Sequence, residues 1–419
     1  MHPNTLLDGA ADLLQRVLSF EQPADRVVSA FFRDHRSFGP RERHALAETA
    51  YRVVRHLPLL RHLAGLGGGV GERRLAILGW QGSDEGLRAA ISPDELRWLQ
   101  QARAVDPGAL PEALRHHLPE WIAAAMKAQL GDEFDAWAAS VDAQAPLDLR
   151  VNGALTDRAA VLAALAAAGI EAAPTPYAPL GIRVVGKPPL AGSPLSEAGA
   201  IEVQDEGSQL LALLTGARRG EMVADFCAGA GGKTLAIGAQ MRDTGRLYAI
   251  DVSGHRLAQL APRLQRSRLG NVHPMQIAHE RDGRLAALAG RMDRVLVDAP
   301  CTGLGTLRRH PDLKWRQREA DLTALGESQR AVLAAAARLV KPGGRLVYAT
   351  CSPLVAENED VAAAFETAQA GRFVREPALQ ALRRAGVEQA DTLVSGDDLR
   401  LWTHRHGTDG FFAALWRRH

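Results

Sequence analysis

From Gln204 to the C-terminus, short apolar segments alternate with helical segments. Short strands separated by helices form a parallel sheet with helices on both faces, and no other pattern in the chain limits the fold as strongly. We therefore predict an α/β domain over residues 204–419, with ligands bound at the carboxyl ends of its strands. The predicted elements are the strands Met222–Cys227, Arg246–Asp251, Val272–Ile277, Arg294–Pro300 and Arg345–Cys351, the helices Gly254–Ser267 and Gln329–Val340, and the candidate last strands Phe373–Arg375 and Phe411–Trp416.

The first half of the chain carries different patterns. Residues 1–143 have apolar positions at helical spacing and almost no strand signal, which predicts a separate, mostly α-helical domain. Residues 144–203 combine strand-like and helical stretches, which predicts a small α+β unit. The segments behind these predictions are the helices Asp12–Leu18, Glu42–Leu63, Arg97–Ala104 and Trp121–Leu130, and, in the small unit, the strands Leu147–Val151 and Ile182–Val185 with the helix Asp157–Ala168.

Composition excludes several classes of protein. The chain is 46% hydrophobic and 23% charged, as in globular proteins with a sizeable core, and it has no apolar run of about 18 residues that would suggest a transmembrane helix. Asp8 and Asp12 interrupt the start of the chain, which argues against a secretory signal. Three cysteines are too few for a disulfide framework, which favours a cytoplasmic location.

The basic residues are unusual. Of the 50 basic residues only five are lysine, and arginine makes forked contacts to phosphate that suit a nucleic-acid partner. Codon bias explains the same composition and is the simpler explanation. No His or Cys spacing fits a zinc site, so we expect no metal.

A glycine-rich loop, Asp225–Thr234, ends the first predicted strand of the α/β domain. A Walker A loop would need a glycine where Cys227 stands, and a dinucleotide fingerprint would need a small residue where Thr234 stands. The remaining pattern, an acidic residue followed by Gly-x-Gly, is present from Asp225 to Gly231. It is typical of enzymes that bind S-adenosylmethionine.

Two further carboxylates follow the next strands. Asp251 ends the second strand and can accept the ribose hydroxyls of a nucleoside cofactor. Asp282 follows the third strand and can receive the adenine amino group. Taken alone, Asp251 could equally be a helix N-cap or turn residue, and Asp282 is more typical of a turn residue.

All three cysteines lie at predicted carboxyl ends of strands, at Cys227, Cys301 and Cys351. Singly, each is more often buried and inert, and we expect Cys227 to offer only its backbone to the cofactor. Beside a methyl donor, the other two indicate methylation of cytosine carbon 5, because a thiolate that adds to carbon 6 makes carbon 5 nucleophilic. Asp298 is placed to hold ring nitrogen 3. A redox or metal pair is the disfavoured alternative.

The chain resembles the RsmB/Nop/Sun family of RNA 5-methylcytosine methyltransferases, and most closely the bacterial RsmB branch that acts on 16S ribosomal RNA. The resemblance covers Gln204 to the C-terminus. The matching segments are Gln204–Gln209, Asp225–Thr234, Asp251, Asp282–Arg284, Asp298–Cys301, Arg308–Trp315, Thr350–Ser352, Glu357–Glu359 and Asp409–Phe412.

The resemblance implies a role for each site residue. Cys351 is expected to be the nucleophile and Cys301 to assist product release, with Asp298 touching the cytosine and the cofactor and Lys233 near the target base. The residues implied to bind S-adenosylmethionine are Cys227, Ala228, Gly229, Ala230, Gly231, Gly232, Lys233, Asp251, Asp282 and Asp298. Ala230 departs from the proline usual in the family, which we expect to loosen the loop by about 0.4–1 kcal/mol at most.

The resemblance also implies a multidomain architecture and an RNA partner. It predicts a helical NusB-like RNA-binding domain over 1–143, an RRM-like subdomain over 144–203 and a Rossmann-like methyltransferase domain over 204–419, in a monomer without membrane contact. Ribosomal RNA is the expected substrate and transfer RNA the main rival. A non-catalytic RNA-binding or ribosome-assembly factor with a relict cofactor fold is the alternative from another class. The residues expected to bind RNA phosphates are Arg308, Arg309, Lys314, Arg316 and Arg318, unless they form a solvated loop.

Overall fold

A computed structural model describes residues 2–419 and divides into two units. The first contains the chain up to Ala143 together with Leu307–Glu319, and the second contains Gln144–Thr306 and Ala320–His419. The segment 307–319 therefore leaves the second unit and joins the first, which the sequence patterns did not predict. Among the described residues, no helix has both the length and the apolar character that a membrane crossing requires.

The first unit is built from helices. In the first helix the buried positions Ala10, Leu14 and Val17 are three or four residues apart and so share one face. The stretch expected to be one helix over Glu42–Leu63 is two helices, because Pro58 has no N–H with which to continue the first. The helices are α1 (Pro3–Val17), α2 (Ala24–Asp34), α3 (Pro40–Arg55), α4 (Leu57–Ala64), α5 (Glu72–Gly79), α6 (Asp84–Ala90), α7 (Pro93–Arg103), α8 (Glu112–Arg115), α9 (Glu120–Leu130) and α10 (Phe134–Asp142).

The second unit begins with a four-stranded antiparallel sheet in the order β2-β3-β1-β4. Leu149 and Ile182 from the strands pack with Val161 and Leu165 from the helix α11 to form its core. Two of its strands, β2 and β4, have three residues each and are missing from the sequence prediction. The elements are β1 (Leu147–Val151), β2 (Ala172–Pro174), β3 (Gly181–Val184) and β4 (Ile201–Val203), with α11 (Arg158–Ala167) and α12 (Pro194–Glu197).

The rest of the second unit is a nine-stranded sheet in the order β11-β12-β13-β9-β8-β5-β6-β7, with β10 paired to β13. Its strands are β5 (Met222–Phe226), β6 (Arg246–Asp251), β7 (Val272–Gln276), β8 (Met292–Asp298), β9 (Val340–Thr350), β10 (Phe373–Arg375), β11 (Val394–Ser395), β12 (Asp398–Leu401) and β13 (Phe411–Arg418). The remaining helices are α13 (Glu206–Leu214), α14 (Gly232–Gln240), α15 (Gly254–Ser267), α16 (Leu313–Arg316, in the segment that joins the first unit), α17 (Leu322–Ala337), α18 (Glu359–Ala368), α19 (Ala378–Arg384) and α20 (Thr403–His406).

This sheet is mixed rather than wholly parallel. Strands β9, β8, β5, β6 and β7 are parallel, as predicted, whereas β13 runs antiparallel to β9. One face is covered by α13, α14, α15 and α19, and the other by α17 and α18. The parallel strands end together, so their carboxyl ends form one edge at which side chains from distant parts of the sequence can meet.

Candidate active site

Two thiols meet at the carboxyl ends of the neighbouring strands β8 and β9. These strands end at Asp298 and Thr350, and Asp298 lies opposite Ala349 in the parallel register. Cys301 and Cys351 follow these ends, and their sulfur atoms lie 3.4 Å apart. The register of the two strands therefore brings both thiols to one point on the edge of the sheet.

A buried carboxylate joins the two loops that carry the thiols. Glu357 accepts hydrogen bonds from the backbone N–H and the hydroxyl of Thr302, at 2.8 and 2.6 Å, and from the hydroxyl of Ser352 at 2.5 Å. Thr302 follows Cys301 and Ser352 follows Cys351 in the sequence. The Glu357 carboxylate therefore helps to fix the separation of the two sulfur atoms.

An ion pair lies next to the thiols. The Nζ atom of Lys233, on α14, is 2.8 Å from Oδ2 of Asp298. Burial lowers the pKa of Lys233, but the charge and hydrogen bond of Asp298, together with the charge of a Cys351 thiolate, outweigh burial and leave the pKa above its ordinary value. Lys233 is therefore a cation held by Asp298 beside the thiols.

The other thiol is held in its protonated form. The hydrogen bond with Cys351, burial, and the charges of Cys351 and Glu357 all raise the pKa of Cys301 well above its ordinary value. Cys301 is therefore held as a thiol that can donate a hydrogen bond to the Cys351 sulfur.

The glycine-rich loop adopts a backbone that favours glycine. Gly229 and Gly231 have φ angles of +58° and +83°, and a Cβ on Gly231 would lie 2.2 Å from the side chain of Leu260. Asp251, at the end of β6, accepts hydrogen bonds from the N–H of Gly229 at 2.7 Å and of Ser253 at 2.8 Å. The carboxylate thereby holds the loop at the carboxyl edge of the sheet.

A single cavity of about 570 Å³ connects these features. Cys227 and Asp251 line it at one part, and Asp298, Cys301 and Cys351 line it at another. Its volume lies within the roughly 300–1,000 Å³ of small-molecule sites. The cavity can therefore present a ligand held by the loop to a group held beside the thiols.

Two known protein families match parts of this chain. The family described as 16S rRNA methyltransferase RsmB/F matches residues 212–417, and the ferredoxin-like domain of RsmF/B-like methyltransferases matches residues 118–191. A Mycobacterium tuberculosis protein named as a methyltransferase is 37% identical over 355 residues, covering 79% of this chain and 71% of that protein. The chain belongs to the RsmB/F methyltransferase family. This is a family of RNA methyltransferases, and the predicted resemblance is confirmed.

Two further comparisons agree with this assignment. The ribosomal RNA small subunit methyltransferase B of Sodalis glossinidius is 39% identical over 278 residues, covering 64% of this chain and 62% of that enzyme. The crystal structure of PH0851 superimposes with a TM-score of 0.80 at 25% identity, covering 100% of this chain and 99% of that one. The predicted fold class, with a helical first part, a small α+β subdomain and a Rossmann-like methyltransferase domain, is confirmed.

Most of the predicted site residues of this RsmB/F protein converge. Cys227, Asp251, Asp298, Cys301 and Cys351 line the cavity, Gly229 contacts the lining residue Asp251, and Lys233 contacts the lining residue Asp298.

The Asp282 carboxylate does not line the cavity. It accepts hydrogen bonds from the N–H groups of Ala278 and Arg284, at 2.8 and 2.9 Å, and pairs with the Arg284 guanidinium at 2.7 Å. These contacts lower its pKa, first through the hydrogen bond from the Arg284 side chain. In this structure Asp282 shapes the turn after β7, and its contact to an adenine stays a prediction.

The expectation that Lys314 binds RNA phosphates is wrong for this structure. Lys314 is fully buried in the first unit, where its Nζ donates to the carbonyl oxygens of Arg55 at 2.9 Å and His117 at 3.1 Å and lies 3.5 Å from Asp142. Burial lowers its pKa to about 8. Lys314 therefore anchors the segment 307–319 to the helices.

The other residues of the predicted RNA-binding set are less accessible than expected. Arg308 is buried, with 6% of its surface exposed, and Arg316 pairs with Asp312 at 3.5 Å. Arg309 is half-buried and Arg318 is exposed. Of this set, only Arg318 has the exposure that the prediction assumed.

Several lining residues were not anticipated from the sequence. His279 and Glu280 follow β7, so their position at a strand end could have indicated them. Ser328 and Val332 come from the middle of α17, and Arg256 from α15. For these three, no local pattern separates residues that face the cavity from others on the same helix.

Proposed function

We propose that this protein transfers a methyl group from S-adenosylmethionine to carbon 5 of a cytosine in RNA. The observation that carries the proposal is the pair of thiols 3.4 Å apart on the cavity that also contains the glycine-rich loop. Redirecting the electrons of a pyrimidine ring requires a nucleophile that adds and later leaves. A nearby second thiol gives the site a group that can move a proton during release.

The loop fits the cofactor. Its positive-φ glycines carry no side chain that would block a ligand, and the Asp251 carboxylate lies at the cavity, where ribose hydroxyls can donate to it. When bound, S-adenosylmethionine supplies an electrophilic methyl group. Val252, 57% exposed on the cavity wall, offers apolar surface for a flat ring.

The first step assigned to the protein is nucleophilic addition. The Cys351 sulfur, acting as a thiolate, donates an electron pair to carbon 6 of cytosine and forms a carbon–sulfur bond. Asp298, held by Lys233, faces the same cavity and can hold the nitrogen 3 edge of the ring. Carbon 5 then carries the electron density needed to accept the methyl group.

The second step is release. Once Cys351 is a neutral thioether, the Cys351 charge that helps to raise the pKa of Cys301 is gone, so Cys301 can pass its proton to water and act as a base. The proton on carbon 5 passes to Cys301, its bonding electrons re-form the 5,6 double bond, and the carbon–sulfur bond breaks to return the thiolate of Cys351.

The substrate proposed is small-subunit ribosomal RNA. The support is the family description and the name of the Sodalis relative. Since carbon 6 is shielded in a base stack, we expect the target cytosine to be unpaired or extruded.

Methyl transfer from tritiated S-adenosylmethionine to 16S and transfer RNA tests the proposal. We expect 5-methylcytosine in 16S RNA with the wild type and none with Cys351→Ala, while calorimetry shows that the variant still binds the cofactor. Full activity in Cys351→Ala, or label on an atom other than carbon 5, would overturn the mechanism. Label confined to transfer RNA would overturn the substrate.

A further inference from the structure

Three arginines form a row across three neighbouring strands of the second unit. Arg345 on β9 lies opposite Arg294 on the parallel strand β8 and opposite Arg417 on the antiparallel strand β13. Residues that are directly opposite in a sheet project from the same face, and like charges in that arrangement destabilise the sheet. Opposite charges must therefore offset the repulsion within the row.

The row forms part of a groove lined by six arginines. The groove has a volume of about 710 Å³. The other three arginines come from different elements: Arg218 follows α13, Arg242 follows α14, and Arg384 ends α19. Because six guanidiniums from separate parts of the chain face one groove, a local run of basic residues does not explain the cluster.

The arginines of the row are held in place and only partly neutralised. Arg294 pairs with Glu221 at 3.0 Å, and Arg345 pairs at 2.7 Å with Glu376, which also pairs with Arg417. Two carboxylates therefore serve three guanidiniums. Burial lowers the pKa of Arg345, and the charges of Arg294 and Arg417 lower it further, which agrees with mutual repulsion in the row.

The remaining three arginines have no acidic partner. Within residues 2–419, no carboxylate pairs with Arg218, Arg242 or Arg384, and all three side chains are exposed. Six positive charges against two negative ones leave four at the groove, in a chain whose net charge is only +2. Such a focus of charge attracts a polyanion.

The groove is separate from the candidate active site. Arg345 and Cys351 lie six positions apart along one extended segment, which corresponds to about 20 Å. The thiols follow the carboxyl ends of the parallel strands, whereas Arg294 lies near the start of β8 and Arg345 lies at the middle of β9. A ligand of the groove therefore does not compete for the cavity.

We infer that this groove binds the phosphodiester backbone of RNA as a second contact, remote from the methylated base. The forked donors of arginine match phosphate oxygens and form paired hydrogen bonds. Backbone contacts of this kind position a nucleic acid without reading its sequence. The inference rests on the proposed function only in taking RNA as the polyanion.

The chain offers a matched set of control residues. Arg219, Arg246 and Arg383 are exposed, lie within four positions of the groove arginines in the sequence, and do not line the groove. The triple variants Arg218→Ala/Arg242→Ala/Arg384→Ala and Arg219→Ala/Arg246→Ala/Arg383→Ala therefore remove the same charge from neighbouring positions. All six side chains are exposed, so both variants should fold.

The test is binding of a fluorescent 16S ribosomal RNA fragment to the full-length protein over a range of salt concentrations. We expect the groove variant to raise Kd at least about tenfold at low salt and to reduce the slope of log K against log salt by roughly 2, for three lost phosphate contacts. The control variant should change the slope by less than half as much. Equal losses in the two variants, or no loss in the groove variant, would overturn the inference.

Competition and catalysis separate the remaining explanations. Unlabelled RNA should displace the fluorescent RNA at a phosphate concentration at which pyrophosphate and polyglutamate have no effect. Displacement by pyrophosphate or polyglutamate at an equal concentration of charges would overturn RNA as the ligand. The covalent adduct and 5-methylcytosine are measured with the same RNA. If the groove variant binds RNA more weakly and the wild type makes 5-methylcytosine, the inference and the proposed function are both supported. If the groove variant binds RNA more weakly but the wild type makes no 5-methylcytosine, the inference is supported and the proposed function is refuted.

Discussion

The sulfur of Cys301 lies 3.4 Å from the sulfur of Cys351, although 50 positions separate the two residues in the sequence. At this distance a proton on one sulfur can be shared with the other. The chain thus places, on adjacent strand ends, the two thiols to which the proposed mechanism assigns addition to the ring and product release.

Replacing the second thiol should trap the reaction. In Cys301→Ala the Cys351 thiolate can still add to carbon 6, but the group placed to take the carbon 5 proton is absent. We therefore expect a covalent protein–RNA adduct to accumulate, measured as a slower band on a denaturing gel. The double variant Cys301→Ala/Cys351→Ala is the control and should give no such band. A Cys301→Ala protein that turns over like the wild type without an adduct would contradict the release role.

Replacing the carboxylate between the two loops should change both geometry and thiol reactivity. Glu357→Gln keeps the size of the side chain but removes a charge that raises the pKa of Cys301, so that pKa should fall and Cys301 should react faster with iodoacetamide at pH 8. The hydrogen bonds to Thr302 and Ser352 are no longer all satisfied, and we expect methyl transfer to drop about tenfold or more, equivalent to about 1.4 kcal/mol.

The nearby surface residue Asp360 provides the control for this prediction. It is exposed, and Asp360→Asn should leave both alkylation and methyl transfer unchanged. Binding of S-adenosylmethionine should be the same in both variants, because neither residue lines the cavity. Unchanged alkylation of Cys301 in Glu357→Gln would show that the carboxylate does not control the thiol.

Lys314 should matter for stability rather than for RNA contact. Lys314→Met removes a buried ammonium and leaves the carbonyl oxygens of Arg55 and His117 without their donor, so we expect the first unit to lose about 3 kcal/mol. Hydrogen exchange across 307–319 should show the loss as faster exchange. Lys127→Met is the matched control, because Lys127 pairs with Glu112 on the surface and should cost less than about 1 kcal/mol. Equal effects of the two substitutions would contradict the anchoring role.

The sequence predicted the sheet well where strands are apolar and bounded by glycine or by carboxylates. The bounds of β6 (Arg246–Asp251) and α15 (Gly254–Ser267) agree to the residue, because each has a strong period and a clear end. The strands β4 and β12 were missed. They have three and four residues, too few to establish alternation, and they exist only because neighbouring strands pair with them.

For the site, too, the sequence predicted some residues well and others poorly. The thiols were found because the carboxyl ends of parallel strands meet wherever the fold has this topology, so the position of a residue in its strand suffices. Lys314 was misread because a lysine among arginines has the local appearance of a basic surface. Its partners Arg55 and His117 lie 259 and 197 positions away, and only tertiary packing brings them to it.

Acid should weaken the first unit through a single buried histidine. Burial lowers the pKa of His117 to about 4, whereas in the unfolded chain the imidazole has its ordinary pKa of about 6.5. Between these values the unfolded chain binds a proton that the folded chain does not, so stability is complete above pH 6.5 and falls as the pH drops toward 4. The loss from this group is at most about 3 kcal/mol.

The comparison of two histidine variants isolates this contribution. His117 has a φ of +52°, a conformation that asparagine tolerates, so His117→Asn removes the titration with little backbone strain. Urea unfolding of the first unit should depend less steeply on pH between 6.5 and 4 in His117→Asn than in the wild type. His44→Asn, at an exposed position on α3, should keep the wild-type dependence. If His117→Asn retains the full acid sensitivity, another group is responsible, and His117 is not held neutral by the fold.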